Sequence, residues 1–149
     1  MKLFSGLNIT SSALTAQRLR MDVISSNIAN IDSTRAEYVN GNWVPYRRKM
    51  VVLEPKGEQF STLLNKAMNK DTVTSGVKVS RIVEDETPYK LVYNPDHPDA
   101  NENGYVQMPN VDPLKEMVDL ISATRSYEAN VTVFNASKSM LVKALDIGK

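Results

Sequence analysis

DPLKEMVDLISATRSYEANVTVFNASKSMLVKALDIG, residues 112–148, carries the strongest local signal in the chain. Asp112 is an N-cap candidate, and Pro113 follows it at a helical position where the missing N–H costs nothing. Gly148 stands where a helix wants a left-handed residue at its C-terminus. Between these markers lie about 35 residues, or roughly 50 Å of helix at 1.5 Å per residue. Heptads counted from Met117 put Met117, Thr124, Val131, Lys138 and Leu145 at the a positions, and Leu120, Tyr127, Phe134 and Leu141 at the d positions. The d column is wholly apolar and the a column is interrupted twice. That pattern suits a helix lying along a partner, with polar interruptions that set register. So narrow a stripe does not support a free helix in water, so the segment needs packing partners.

The natural first partner is at the other end of the chain. Leu7, Leu14, Met21 and Ile28 recur at intervals of seven, and Ile24 and Ile31 join them in the second half. This is again one narrow helical stripe. Ser5, Asn8 and Thr10 are alternative N-caps, while Asn27, Asn30 and Asp32-Ser33-Thr34 mark the exit, because their side chains compete with helical backbone bonding. The stretch between the helices is different in kind. Met50-Val51-Val52-Leu53, entered through Val44-Pro45-Tyr46 and Arg47-Arg48-Lys49, reads as a strand. Val77 to Val83 alternates as a half-buried strand does, and Tyr89 to Tyr93 is a third candidate. Phe60 to Met68 reads as one or two helical turns, Asn40-Gly41-Asn42 as a turn, and Asn94 to Gly104 as a loop. The expectation is an α+β protein. Long terminal helices, residues 1–35 and 111–149, pair as a coiled-coil-like hairpin around a small strand-containing middle module, residues 36–110.

Length and composition limit the chemistry. At 149 residues the chain supports one modest core. The net charge of +1 is spread as +2, −1 and 0 over residues 1–35, 36–110 and 111–149, so no clustered basic face for nucleic acid is expected. Cysteine is absent, which removes disulfides, thiolate nucleophiles and sulfur-ligated zinc. No apolar run is long enough for a membrane span, and polar residues break up the N-terminus before a secretory h-region can build. The single histidine, His97, lies beside Asp96 and Asp99, but it reads as a solvated turn between Pro95 and Pro98 rather than a metal site. Neither a G-x-S-x-G elbow nor a Gly-rich phosphate loop occurs. The expectation is no enzyme, no metal and no cofactor. Glu84-Asp85-Glu86 reads as a solvated loop. Arg47-Arg48-Lys49 reads either as a grip on an acidic partner or as strand-end charges that discourage edge pairing. Trp43, the only tryptophan, reads as a core anchor in preference to a binding hot spot.

Several stretches then match a known pattern. Ser5-Gly6-Leu7, Asp22 and Ser25-Ser26-Asn27-Ile28-Ala29-Asn30 resemble the opening of bacterial flagellar axial proteins. Ser33-Thr34-Arg35, Pro45-Tyr46-Arg47-Arg48-Lys49, His97-Pro98-Asp99-Ala100, Gly104 to Val111 and Ala123 to Val131 resemble the C-type proximal-rod subunit among them. The family-motif residues singled out are Asn27, Asn30, Arg35, Arg47, Arg48 and Asn130. The resemblance implies a structural subunit of the basal-body proximal rod. Such a subunit assembles helically through its terminal helices into a drive shaft that transmits torque and encloses the export channel. It also implies synthesis in the cytoplasm and type III export without a cleaved signal, to a rod that spans the periplasm. The implied partners are other copies, other rod subunits, and the membrane-ring and export-gate components at the rod base, with no nucleic acid and no membrane insertion. The assembly interface would be the stripes Leu7, Leu14, Met21, Ile24 and Ile28 with Met117, Leu120, Tyr127, Val131, Phe134, Leu141 and Leu145. The alternative is a helical-hairpin adaptor or export chaperone that binds its partners reversibly.

Overall fold

The computed structural model describes residues 3–56 and 76–147. Helix α1 spans Leu3–Ala29 and helix α2 spans Pro113–Ile147. Among the described residues, six short strands lie between them: β1 Glu37–Val39, β2 Asn42–Val44, β3 Lys49–Pro55, β4 Val77–Glu84, β5 Lys90–Tyr93 and β6 Tyr105–Met108. They pair as three two-stranded sheets, β1 with β2, β3 with β4 and β5 with β6. The class is α+β, two long terminal helices with a small module of short strands between them. Phe60 to Met68 and Gly148 lie outside the described residues.

Local chemistry fixes the ends of the elements. The Asp112 carboxylate accepts the Leu114 N–H at 3.0 Å, and its carbonyl accepts the Glu116 N–H at 3.0 Å. Asp112 is therefore the N-cap of α2, with Pro113 in the first turn as expected. At the end of α1 the Asn30 side chain turns back to donate to the Ser26 carbonyl at 2.9 Å, and Ser33 Oγ donates to Asn30 Oδ1 at 3.1 Å. These bonds close the helix into a run of turns.

The Asn40-Gly41 turn joins β1 to β2 with both residues at positive φ, 52° and 89°. This two-residue loop matches the twist of the flanking strands, and Asn-Gly is the pair that enters it most easily. In β5–β6 the register runs from Lys90 opposite Met108 to Tyr93 opposite Tyr105. The intervening loop closes on the Asn101 side chain, whose Oδ1 accepts the N–H groups of Asn103 at 3.0 Å and Tyr105 at 2.9 Å. Gly104 re-enters the sheet at φ 78°, and a Cβ there would meet the Tyr93 ring at 2.9 Å, so both backbone and space call for glycine.

The chain forms two compact units that cut across the division into helices and middle module. Among the described residues, one gathers α1 up to Arg20, residues 51–56 and 76–81, and α2 from Ser122. Its buried positions include Thr10, Ala16 and Ala123, all small. The other consists of Met21–Met50 and Ile82–Ile121. There Val23, Ile24, Tyr46, Val106 and Val111 form an apolar core around the buried polar side chains of Asn27, Arg48 and Glu116.

Candidate functional site

The polar centre of the second unit begins with a backbone problem. Residues 45–48 lie between β2 and β3 with no ladder of their own, yet Pro45, Tyr46 and Arg48 are buried. Buried N–H and C=O groups need partners, and here side chains supply them. Asn110 Oδ1 accepts the Arg48 N–H at 2.8 Å, and the Ser33 carbonyl accepts that of Tyr46 at 3.0 Å. Asn27, in the last turn of α1, takes both groups of Lys49: Oδ1 accepts its N–H and Nδ2 donates to its carbonyl, each at 2.9 Å. A side-chain amide thus replaces a neighbouring strand.

Asn27 has two further bonds to make, and it makes both. Its Oδ1 accepts from the Tyr46 hydroxyl at 3.0 Å, and its Nδ2 donates to Glu116 Oε2 at 3.0 Å. The amide's full capacity of two acceptor and two donor positions is then used. Glu116, completely buried in the first turn of α2, turns its other oxygen to Arg48 Nε at 2.5 Å. Arg48 also pairs with Asp85 and Asp119, each at 3.5 Å. Asn110 completes the knot by donating to the Asp85 carbonyl at 3.0 Å and to Thr87 Oγ1 at 2.9 Å. Beside it, Arg47 donates to the Tyr89 hydroxyl at 2.9 Å, with its guanidinium 4.7 Å from the ring centre.

Electrostatics follow from this geometry. Burial alone would lower the affinity of Arg48 for its proton, but the hydrogen bond and the charge of Glu116, with help from Asp85, outweigh it and raise its pKa. The Asp85 carboxyl is held below its ordinary 3.8, first by the Thr87 backbone N–H and then by the Thr87 hydroxyl and Arg48, against the opposing effect of burial. A depressed folded pKa stabilises above the unfolded value and loses that contribution as pH falls through the folded value. Stability should therefore drop as the pH goes below about 4. In Asp85→Asn part of that acid slope should be missing when urea midpoints are compared between pH 5 and 3.

The tripeptide Arg47-Arg48-Lys49 thus divides differently from its sequence reading. Arg48 is an internal ion-pair partner, neither exposed grip nor edge charge. Asp85 belongs to the knot, while Glu84 and Glu86 are exposed. His97 Nδ1 accepts the Asp99 N–H at 3.1 Å, and the Asp99 carboxylate is held by Arg35 and Thr34. Among the described residues no group of His and acidic side chains is placed to hold a metal. Trp43, read as a core anchor, is 54% exposed on the β1–β2 hairpin, because three-residue strands leave it no second layer to enter.

The stripes are placed as follows. On α1, Ile24 is buried, and Leu7, Leu14, Met21 and Ile28 are half-buried. The deepest line of that helix runs through Thr10, Ala16, Val23 and Asn27. On α2, Leu120, Tyr127, Val131, Phe134 and Leu141 are half-buried, whereas Met117 and Leu145 are exposed, at 50% and 74%. The column that turns inward beside Leu120, Tyr127 and Phe134 is Glu116, Ala123 and Asn130, one residue earlier than the heptads counted from Met117. Asn30 is half-buried and Arg35 exposed, the latter paired with Asp99. Hydrophobicity missed Glu116, since an acid in the first turn of a helix reads as a complement to the helix dipole.

Every polar position of Asn27 is spent, and Glu116 and Arg48 face each other. The arrangement holds backbone segments and helix ends together. Residues 7–36 match the family described as flagella basal body rod protein, and residues 102–147 match that of the flagellar basal body rod FlgEFG protein C-terminal. The whole chain is similar to proteins named flagellar basal-body rod protein FlgC. It is 65% identical to that of Bacillus subtilis strain 168 over 150 residues, covering 100% of each chain. It is 46% identical to that of Borreliella burgdorferi over 158 residues, covering 99% of this chain and 98% of the other. With that of Escherichia coli O6:H1 it shares 44% identity over 149 residues, again covering 100% of each. Similarity of this depth from end to end means that the chain belongs to the FlgC family of flagellar basal-body rod proteins.

Proposed function

We propose that the chain is a structural subunit of the flagellar basal-body rod, that it assembles helically through its terminal helices, and that it works by stiff packing with no chemical step. The observation that carries this reading is the outward face of α2. Leu114, Val118 and Ile121 are 73%, 67% and 55% exposed, and further along Val133 and Met140 are 53% and 65% exposed. With Arg125, Ala129 and Ala136, Leu114, Val118 and Ile121 advance by three or four residues along the side away from the inward column, while Val133 and Met140 lie on its flank, about 60–80° round the helix from Asn130. A helix that is apolar on two faces is made for more than one neighbour, and an exposed apolar stripe of this length calls for burial in an assembly. The inward stripes serve packing within the subunit, and the outward face meets other copies or other rod subunits. Contacts of this head-to-tail kind build open helical structures when the rotation between neighbours does not close.

On this reading the rod passes torque outward and encloses the export channel, the subunit is exported without a cleaved signal, and ring and export-gate components meet it at the rod base. No helix among the described residues is long and apolar enough to cross a membrane, which suits a shaft subunit. The knot around Arg48 then has a mechanical role. It ties the end of α1, the start of α2 and the entry of β3 into one block, so that load on either helix reaches the strands. Electron microscopy of detergent-extracted basal bodies tests the proposal in a strain lacking this chain. Incomplete rods that the gene restores in trans are expected, and complete rods in its absence would overturn the reading.

A further inference from the structure

A second feature of the Met21–Met50 and Ile82–Ile121 unit has no part in the knot. Between the β1–β2 hairpin and the loop before β6 lies an open cleft of about 500 Å³, within the usual size range of small-molecule sites. Trp43 and Tyr105 line it, and they are 54% and 43% exposed. Each is backed by another ring: Tyr38 lies 5.1 Å from Trp43 at 60°, and Tyr93 lies 5.3 Å from Tyr105 at 66°. The rings are therefore held in place before anything binds, which lowers the ordering cost of binding.

The polar lining consists largely of amides. Among the described residues the side chains of Asn42 and Gln107 have no hydrogen-bonding partner, so their donors and acceptors are available. Asn101 spends its oxygen on the loop backbone and keeps its Nδ2 to donate. Asp99 is the only carboxylate in the lining, and Arg35 neutralises it at 2.5 Å while Thr34 donates to it at 2.8 Å. The cleft thus offers flat apolar faces, neutral donors and acceptors, and no unbalanced charge. Phosphates, nucleotides and strongly charged peptides find nothing to pair with there. A pyranose ring has the complementary chemistry: an apolar C–H face to lie on an indole or phenol ring, and a rim of hydroxyls for amides.

We propose that this cleft binds a neutral oligosaccharide of equatorially substituted pyranose rings, of the N-acetylglucosamine or glucose type. No residue of α1 or α2 lines the cleft. Trp43 is the sole tryptophan, so its emission reads the cleft directly in the intact chain. Titration with chitotriose and with cellotriose should give, for at least one of them, a saturable shift of that emission to shorter wavelength, and glucose 6-phosphate should give none. Saturation-transfer NMR should show the same sugar binding about tenfold more weakly to Trp43→Ala, and also losing affinity for Asn42→Ala combined with Gln107→Ala. Circular dichroism of both variants should match the parent, since the altered side chains are exposed. No saturable response to either neutral sugar would overturn the proposal. So would an equal response to the phosphosugar, or unchanged binding in the amide variant.

Discussion

Replacing Glu116 by alanine is expected to cost about 3–5 kcal/mol of folding free energy, the usual penalty for removing one partner of a buried ion pair, and toward the lower end because Asp85 and Asp119 still face Arg48 at 3.5 Å. The Glu116 side chain is fully buried and that of Arg48 is 11% exposed, so water cannot take over the missing interaction. Asn27 Nδ2 would lose an acceptor in the same step, which adds to the loss. For a chain of this length the change corresponds to a fall of about 6–20 °C in the unfolding midpoint. Trp43 fluorescence follows it from within the same unit. The double substitution Arg48→Met with Glu116→Leu should recover much of the loss, because no charge then remains stranded between these two positions. The recovery should be incomplete, since Asn27 still lacks its fourth bond and Asp85 and Asp119 lose Arg48. The double-mutant cycle separates pairing from burial. A Glu116→Ala midpoint within the scatter of the parent would mean that the knot contributes nothing to holding the two helix ends.

The same knot shows where reading the sequence stops. The two motifs that form it, Asn27 to Asn30 and Pro45 to Lys49, were visible as motifs. That the first supplies the hydrogen bonds the second lacks is a fact of three dimensions, with Lys49 and Glu116 lying 22 and 89 positions along the chain from Asn27. Features written in local chemistry were legible. The Asp112-Pro113 start of α2 depends on a cap and a missing N–H, and β3, β4 and β5 depend on alternation and β-branched residues. The β1–β2 hairpin was only half legible: Asn40-Gly41 announced its turn, but strands of three residues are too short to show a period. β6 was hidden behind the loop that delivers it. Within α2, Met117 and Leu145 depart from the stripe reading for a more general reason. Choosing the inward column by hydrophobicity selects Met117 and Leu145, whereas the helix turns Glu116, Ala123 and Asn130 inward. Small residues permit close approach, and a paired acid satisfies itself, so neither needs to be apolar to be buried.

The outward face of α2 allows folding to be separated from assembly. Val133→Asp combined with Met140→Asp places two carboxylates where the side chains are already 53% and 65% exposed in the single subunit. Each should change folding stability by no more than about half a kcal/mol, as surface substitutions usually do. In an assembled rod the same carboxylates would be buried against a neighbour, at a cost of roughly 1–3 kcal/mol or more for each unpaired group, repeated in every subunit. Swimming and rod incorporation should therefore be lost while the purified chain keeps its unfolding midpoint. Leu141→Asp should behave differently, because Leu141 is half-buried within the subunit and its replacement should weaken the fold as well as the rod. Lys143→Asp, which exchanges one exposed charge for another, should leave the folding stability nearly unchanged. Rods of normal length built from the doubly substituted chain would mean that this face of α2 remains in water after assembly, and that subunits meet through another surface.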